Sequence, residues 1–394
     1  MEEKRLHQNI IRKHSRLKTF MKWFKRIFLF LIVCLVSAGI FVKVNPTVAA
    51  DITDNYIRPI IGDQTVVFIE NIFFNISDAA DHLLYRFKKP VAPQFLDQTE
   101  NISTPSTLDF TPIPVNNSFS PLPGEGIWSN LESADFPNIE VMADTFVRPD
   151  PLRSFAIVSV VQINTKLLGI GAVAGTKEPG GSLGNFGTGI IPQNVLDSGS
   201  LVAAFNGGFL YNDGNYGMIV DNKVYAPLKP NIGTLVAYTD GSVKIFNYTG
   251  DNLGKNVVFA RQNGPLIIDN SQETTLSPKD YKTIRGTIYN GKGIVPNGTF
   301  TYRSGVGITK TGNLLYAVGN NLSPASLEDA LQMAGAVSAM QLDINPSHIH
   351  FYVFNKNNTG TYDAIFLNKE LQNLNRSAKY LTGSQRDFFY LYKK

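Results

Sequence analysis

Residues 303–350 read RSGVGITKTGNLLYAVGNNLSPASLEDALQMAGAVSAMQLDINPSHIH, and the periods within this stretch set the fold class. Val306 and Ile308 lead into the turn Lys310-Thr311-Gly312-Asn313, and Leu314 to Val318 return from it, which predicts a β-hairpin. Ser326 is placed to cap a helix, with Glu328 and Asp329 at the positive end of its dipole and Leu327, Ala330, Leu331 and Ala334 at helical spacing. Gly335 ends that helix as a C′ residue. From Ala336 to Asn345 the pattern changes to period two. Ala336, Ser338, Met340, Leu342 and Ile344 face one way and Val337, Ala339, Gln341, Asp343 and Asn345 the other. The row Gln341, Asp343, Asn345 beside an apolar face needs water or a ligand.

Hairpin signals outnumber long helical patterns along the rest of the chain. The expected fold is therefore α+β, a mostly mixed or antiparallel sheet with few helices, preceded by an N-terminal transmembrane helix. With 394 residues, 43% hydrophobic and 17% charged, the chain has length for one large domain or two small ones. Residues 1–26 hold nine Lys and Arg against Glu2 and Glu3, a net of +7 in a chain of net +4, so the remainder carries about −3. The basic balance belongs to this N-terminal segment and gives no reason to expect nucleic-acid binding by the folded part.

Ile27 to Val42 contains no charge, and Trp23, Phe24 and Val44 extend the apolar run, so residues 27–44 are read as a single-pass membrane anchor. Its basic flank stays in the cytoplasm and the C-terminal domain lies outside. A cleaved signal peptide ending at Val48-Ala49-Ala50 is the competing reading, from which Lys43, Asn45 and Pro46 separate the run. Cys34, within this run, is the sole cysteine, so the exported part holds no disulfide. Residues 51–89 carry dense apolar residues, continued at helical spacing by Ala80, Leu83, Leu84 and Phe87, and are expected to form two short membrane-proximal helices. Residues 90–123, with seven prolines in 34 residues, are expected to be an exposed linker.

The folded domain is expected over 124–394. Phe155 to Ile163 reads as a strand that Leu167 to Ala174 could pair with. Six glycines between Gly175 and Gly189 form a loop without a P-loop ending or a dinucleotide pattern, best read as a mobile rim of a pocket. Leu201 to Phe205 is a buried strand running into Asn206-Gly207-Gly208-Phe209, where paired glycines let main-chain amides approach a ligand. Tyr211 to Tyr216 looks like a turn, and Met218 to Tyr225 is expected to be one strand. Leu235 to Tyr238 and Val243 to Phe246, joined at Asp240-Gly241, give a strong hairpin signal. Val257 to Ala260 leads to Arg261-Gln262-Asn263-Gly264-Pro265, polar side chains at a strand boundary. Phe351 to Phe354 and Tyr362 to Leu367 are expected to close the sheet.

Three blocks, Phe205-Asn206-Gly207-Gly208-Phe209, Arg303-Ser304-Gly305-Val306-Gly307 and Leu342-Asp343, resemble the phosphodiester glycosidase domain family in order and spacing. The family usually has Leu-Asp-Gly-Gly followed by Ser; here the block is Leu342-Asp343-Ile344-Asn345-Pro346-Ser347. The resemblance implies hydrolysis of a sugar 1-phosphodiester, whose phosphomonoester leaving group needs charge compensation. A guanidinium fits that task and a carboxylate must attack the anomeric carbon or activate water. Arg303 and Asp343 are assigned those roles, with Asn206 orienting the sugar or stabilising developing charge. Gly207, Gly208, Arg261, Gln262, Asn263, Ser304, Gln341 and Asn345 are the expected substrate contacts, Arg261 as a phosphate partner. A buried structural pair of Arg303 and Asp343 is the alternative.

His348 and His350 would share a strand face near Asp343, but a third ligand at metal spacing is not visible, so neither metal nor cofactor is expected. No Gly-x-Ser-x-Gly elbow occurs. Two functions follow. One is a membrane-anchored extracytoplasmic hydrolase acting on glycosyl phosphodiesters in bacterial envelope or exopolysaccharide material. The other is a non-catalytic polysaccharide-binding or assembly protein of the same fold, in which Tyr211, Tyr216 and Tyr302 line a groove.

Overall fold

The computed structural model describes residues 21–30, 33–34, 36–42, 44–45, 48–49, 52–95, 108–131, 141–273, 288–290, 293–295, 300–374 and 378–394. Its contacts divide the chain into Met1–Gly62 and Asp63–Lys394. In the first unit, residues 21–30 and 36–42 are helical, and a π-helical turn Thr53–Ile57 runs into the short helix Arg58–Ile61, ended by Gly62 at φ 82°. Among the described residues no helix is long and apolar enough to cross a membrane. The expected anchor lies partly outside the described residues, at positions 31, 32, 35 and 43, as do residues 1–20 of the basic segment.

The second unit opens with α1 (Asp63–Leu84), a single 22-residue helix where two short ones are expected. Its polar side is tied down: Asp78 accepts from Nε and Nη2 of Arg153 at 2.8 and 2.7 Å, and Tyr85 stacks on Phe155 at 4.8 Å. Phe68, Ile69, Ile72 and Ile76 are exposed. Of the expected linker, residues 96–107 lie outside the described residues; in residues 108–123, Leu108 and Ile113 are buried in the core while the side chains around them are exposed or half-buried. The remaining helices are short: α2 (Gln193–Asp197), α3 (Tyr211–Gly214), α4 (Pro324–Met333), α5 (Lys369–Leu374) and α6 (Lys379–Thr382).

Three sheets carry the domain. The largest has, in spatial order, β1 (Ser129–Asn130), β2 (Met142–Val147), β3 (Val158–Ile163), β16 (Leu314–Leu322), β15 (Thr301–Thr309), β17 (Ala336–Gln341), β11 (Leu266–Asp269) and β12 (Gln272–Glu273). A second runs β19 (Tyr362–Phe366), β18 (Phe351–Lys356), β5 (Leu201–Asn206), β20 (Phe388–Lys393) and β4 (Leu168–Val173). A third runs β7 (Lys223–Ala226), β6 (Met218–Val220), β10 (Val257–Gln262), β8 (Ile232–Tyr238) and β9 (Val243–Tyr248). A hairpin of β13 (Ile288–Asn290) and β14 (Gly293–Val295) stands apart from them. Every pair of named strands is antiparallel, as an α+β fold built from hairpins requires.

The main core lies between the first two sheets, where Val306, Tyr316 and Val318 meet Phe205, Phe351 and Phe389. The other face of the large sheet packs Val160, Leu315 and Ala317 with Leu327, Ala330 and Leu331 of α4. Each fully buried Val, Leu or Phe side chain contributes about 1.5–3 kcal/mol relative to an exposed one. A sheet covered on both faces leaves weak polar alternation, and β2 and β3 are buried along their whole length.

Four sequence expectations change. β3 and β4 do not pair: β3 joins β2 and β16, whereas β4 pairs with the last strand, β20. Met218–Tyr225 is two strands turned at Asp221-Asn222, whose φ values of 48° and 65° suit a hairpin turn. The cap of α4 is Ser323, which accepts from Ser326 N at 3.0 Å while Ser326 Oγ accepts from Ser323 N at 3.3 Å. Ser326 is thus the third residue of the helix. Finally, β17 stops at Gln341, so Asp343 and Asn345 belong to a loop.

Candidate functional site

β5, β15, β17, β10 and β20 end or begin around one point. The floor is built from Asn206 at the end of β5, whose amide is fully committed: Nδ2 donates to Ser304 Oγ at 2.9 Å and to Gly207 O at 3.0 Å, and Oδ1 accepts from Tyr316 OH at 2.8 Å. Ser304 Oγ in turn donates to the Asp343 carbonyl at 2.7 Å, and Asp343 N donates to Gly207 O at 3.1 Å. Asn206, Ser304 and Asp343 are thereby brought together across 98 and 39 residues of chain. Asn206 acts as a brace beneath the carboxylate rather than as a free arm.

Asp343 is 3% exposed, and each of its carboxylate oxygens meets a donor. Oδ1 accepts from Asn345 N at 2.9 Å and Oδ2 from Arg386 Nη2 at 2.7 Å. Burial raises the Asp343 pKa, while Arg386 and the Asn345 amide pull it down and Asp387 pushes it further up. The block that departs from Leu-Asp-Gly-Gly holds its shape through two successive turns closed by side chains. Asp343 accepts from Asn345 N, and Asn345 Oδ1 accepts from Ser347 N at 2.9 Å and Ser347 Oγ at 2.8 Å. None of residues 343–347 has a positive φ, so the backbone does not call for glycine here.

The guanidinium on Asp343 is that of Arg386, not of Arg303. Period two explains why: Ser304, Val306 and Ile308 face the main core, so Arg303 points with Gly305 to the face covered by Leu327 and Leu331 of α4. There Arg303 is wholly buried, its Nε donating to Leu322 O and Nη1 to Gln341 Oε1, both at 2.8 Å. Burial alone pushes its pKa down to about 9. Gln341 lies opposite Gly305 in the ladder and shares that face.

The expected contacts on β10 are structural. Arg261 grips Asp387 through Nε to Oδ2 at 2.8 Å and Nη2 to Oδ1 at 3.0 Å, both side chains fully buried, so it is not open to a phosphate. Gln262 spends its oxygen on Gly217 N and Lys229 N and its nitrogen on Lys229 O and Thr234 Oγ1. Asn263 ties Phe209 N to Gln341 O, at 2.8 and 2.7 Å. A Cβ at Gly207 would stand 2.0 Å from Asp387 Oδ2, and one at Gly208 would stand 2.6 Å from Asn263 Oδ1. The two glycines admit side chains of the fold itself, close against the main chain.

Arg386 and Asp387 were not legible as site residues. They directly precede the last strand, and a charged pair just before the apolar Phe388–Tyr392 is the signal that could have found them. Arg386 is 9% exposed; Nη2 also donates to Gly208 O at 3.0 Å, and buried Nε has no hydrogen-bond partner among the described residues. Burial would lower its pKa, but Asp343, Asp387, Glu178 and Asp213 hold it above the usual arginine value. His348 is pushed well below the ordinary histidine value by burial and then by Arg386, Lys379 and His350. His350 falls to about 3 through burial, with Nδ1 at 3.0 Å from Tyr352 OH. Both rings are neutral near pH 7, and among the described residues no group of three or more His, Cys, Asp or Glu is placed to hold a metal.

The tyrosines expected to line a binding groove do not do so together: Tyr216 is fully buried, and the Tyr302 hydroxyl bonds Glu370. A separate groove of about 420 Å³ between the β8–β9 hairpin and the large sheet is lined by Tyr238, Lys244, Phe246 and Ser338 among others, and shares no residue with the Asp343 cluster.

Among solved structures, the chain resembles the zebrafish N-acetylglucosamine-1-phosphodiester alpha-N-acetylglucosaminidase catalytic domain auto-inhibited by pro-peptide. Identity is 12% and the TM-score 0.40, over 66% of this chain and 86% of that one. It also resembles a hypothetical protein from Synechocystis, at 12% identity and TM-score 0.32 over 66% and 65% of the two chains. A putative exported protein from Burkholderia pseudomallei gives 12% and 0.31 over 60% and 74%. No curated protein matches the chain. Arg386, Asp387 and Glu178 fall outside the segment that a family model covers, but Asn206, Ser304 and Asp343 fall inside it. That segment, residues 199–364, matches the phosphodiester glycosidase family model.

Proposed function

We propose that the chain is an extracytoplasmic hydrolase that cleaves sugar 1-phosphodiesters in envelope or exopolysaccharide material. The observation that carries this reading is the Asp343–Arg386 pair: a carboxylate lifted by burial and held at 2.7 Å by a guanidinium whose buried Nε has no hydrogen-bond partner among the described residues. As the bond from the anomeric carbon to the phosphate oxygen breaks, positive charge develops on the sugar and negative charge on the leaving phosphomonoester. Asp343 supplies the negative charge facing the first, and Arg386 a positive charge beside the second. Both are fixed before the substrate arrives, by Asn206 and Ser304 below and by Gly208 alongside, which is how preorganised groups lower a barrier.

The test is to incubate the full chain with a panel of sugar 1-phosphodiesters differing in sugar and in the second ester. Free sugar and a phosphomonoester are expected in equal amounts from at least one member. Tight binding across the panel with no release would favour the non-catalytic polysaccharide-binding reading.

Anchoring to a membrane is part of the same proposal. It is supported by the basic residues 1–26 before an uncharged run, and by the exposed Phe68, Ile69, Ile72 and Ile76 on α1. In fractionated cells the full chain is expected in the membrane pellet after a high-salt wash, and a chain lacking residues 1–44 in the supernatant. Release of the full chain by salt alone would reject the anchor.

A further inference from the structure

We propose that Glu178 is the second carboxylate of this site, the group that takes the proton from the attacking water; this rests on the hydrolase reading above. Its position is fixed from two directions. The amides of Lys177 and Glu178 both donate to Gln385 O, at 3.1 and 3.0 Å, which sets Glu178 beside the residue that precedes Arg386. Glu178 Oε2 accepts from Tyr211 N at 2.8 Å, three residues past the Gly208 carbonyl that Arg386 itself binds at 3.0 Å. The glycine-rich loop, the turn after β5 and the segment before β20 therefore meet near one guanidinium, to which Asp343 is hydrogen-bonded and whose pKa Glu178 is near enough to raise.

The two carboxylates are not equivalent. Both Asp343 oxygens already meet donors held by the fold, whereas among the described residues no donor reaches Glu178 Oε1. Glu178 is half-buried and Asp343 almost wholly so. The charged groups facing Glu178 are Arg386, Arg261 and Asp387; burial lifts its pKa, the two arginines lower it and Asp387 raises it. Burial raises the pKa of both, so it is the geometry that separates them: a carboxylate with one open oxygen is suited to take up a proton, and the pinned one to hold charge.

The step balances as follows. Glu178 Oε1 takes a proton from water as the water oxygen bonds to the anomeric carbon. The bond from that carbon to the phosphate oxygen breaks, its electron pair going to the phosphate. The products are the free sugar, a phosphomonoester with one more negative charge, and protonated Glu178, which then loses its proton to solvent.

The experiment uses the full chain and a sugar 1-phosphodiester that the wild type cleaves. Glu178→Gln, which keeps the acceptor for Tyr211 N, is expected to lower kcat by about 10²- to 10⁴-fold with KM little changed. The acidic limb of its pH profile should fall with the first power of proton concentration, where the wild type, needing both carboxylates ionised, falls with the second. Formate should restore part of the rate to Glu178→Ala and none to Asp343→Asn. If the wild type cleaves the substrate while Glu178→Gln stays within about threefold of it on an unchanged profile, the assignment of Glu178 is wrong and the hydrolase reading stands. A wild type that releases no sugar from any member of the panel overturns both.

Discussion

Arg261→Met is expected to cost the domain about 3–5 kcal/mol, read as a lowered urea midpoint with unchanged slope. Arg261 and Asp387 are both fully buried and joined by two hydrogen bonds, so removing the guanidinium strands a carboxylate away from water, left with the hydrogen bond from Gly208 N at 3.2 Å and the nearby charge of Arg386. The loss is the penalty of that stranded charge rather than the net worth of the pair. Asp387→Leu added to Arg261→Met should therefore recover part of it, since the two sites are in direct contact and cannot add independently. A loss below about 1 kcal/mol would mean that Asp387 finds another partner or a proton at little cost. The pair also holds the Gly207-Gly208 turn against the start of β20, so the single variant is expected to loosen Arg386 as well.

How far the sequence reveals this site follows from the range of the interactions. The β15–β16 hairpin, Gly335 after α4 and the position of Asp343 just past an apolar strand are all local patterns, readable within a few residues. Period two could also have separated Ser304 from Arg303, because adjacent residues on a strand face opposite ways. Charge alone favours Arg303 as the partner of Asp343, whereas its place on the strand turns it to the opposite face. Arg386 gave no periodic signal toward Asp343, since an ion pair spanning 43 residues leaves no trace in local spacing. The same applies to β4, whose partner is the last strand of the chain. The altered Leu342–Ser347 block is a different lesson. Side-chain turns by Asp343 and Asn345 do the folding that glycines could otherwise permit, and only hydrogen bonds show it.

Arg386→Met is expected to lower kcat on a cleavable sugar 1-phosphodiester by about 10²- to 10³-fold, and Asp343→Asn to remove sugar release at every pH. The pH dependence separates the two. Burial already lifts Asp343 above its ordinary value of 3.8, and Arg386 is the strongest influence opposing that lift. Without Arg386 the carboxyl rises further, so the acidic limb of the residual rate must move to higher pH. Stability follows the same sign. A carboxyl whose folded pKa is raised contributes stability that is fully present below 3.8 and is lost as pH rises through the folded value. Arg386→Met should thus be destabilised most at neutral and alkaline pH and least in acid. Arg386→Lys keeps the charge but not the planar guanidinium whose Nη2 donates to both Gly208 O and Asp343, so it should return the limb toward the wild-type position while recovering only part of kcat. A residual rate in Arg386→Met whose acidic limb does not move would show that neither Asp343 nor Glu178, both of whose pKa values Arg386 lowers, is the ionising group, and the carboxylate responsible would have to be sought away from this guanidinium.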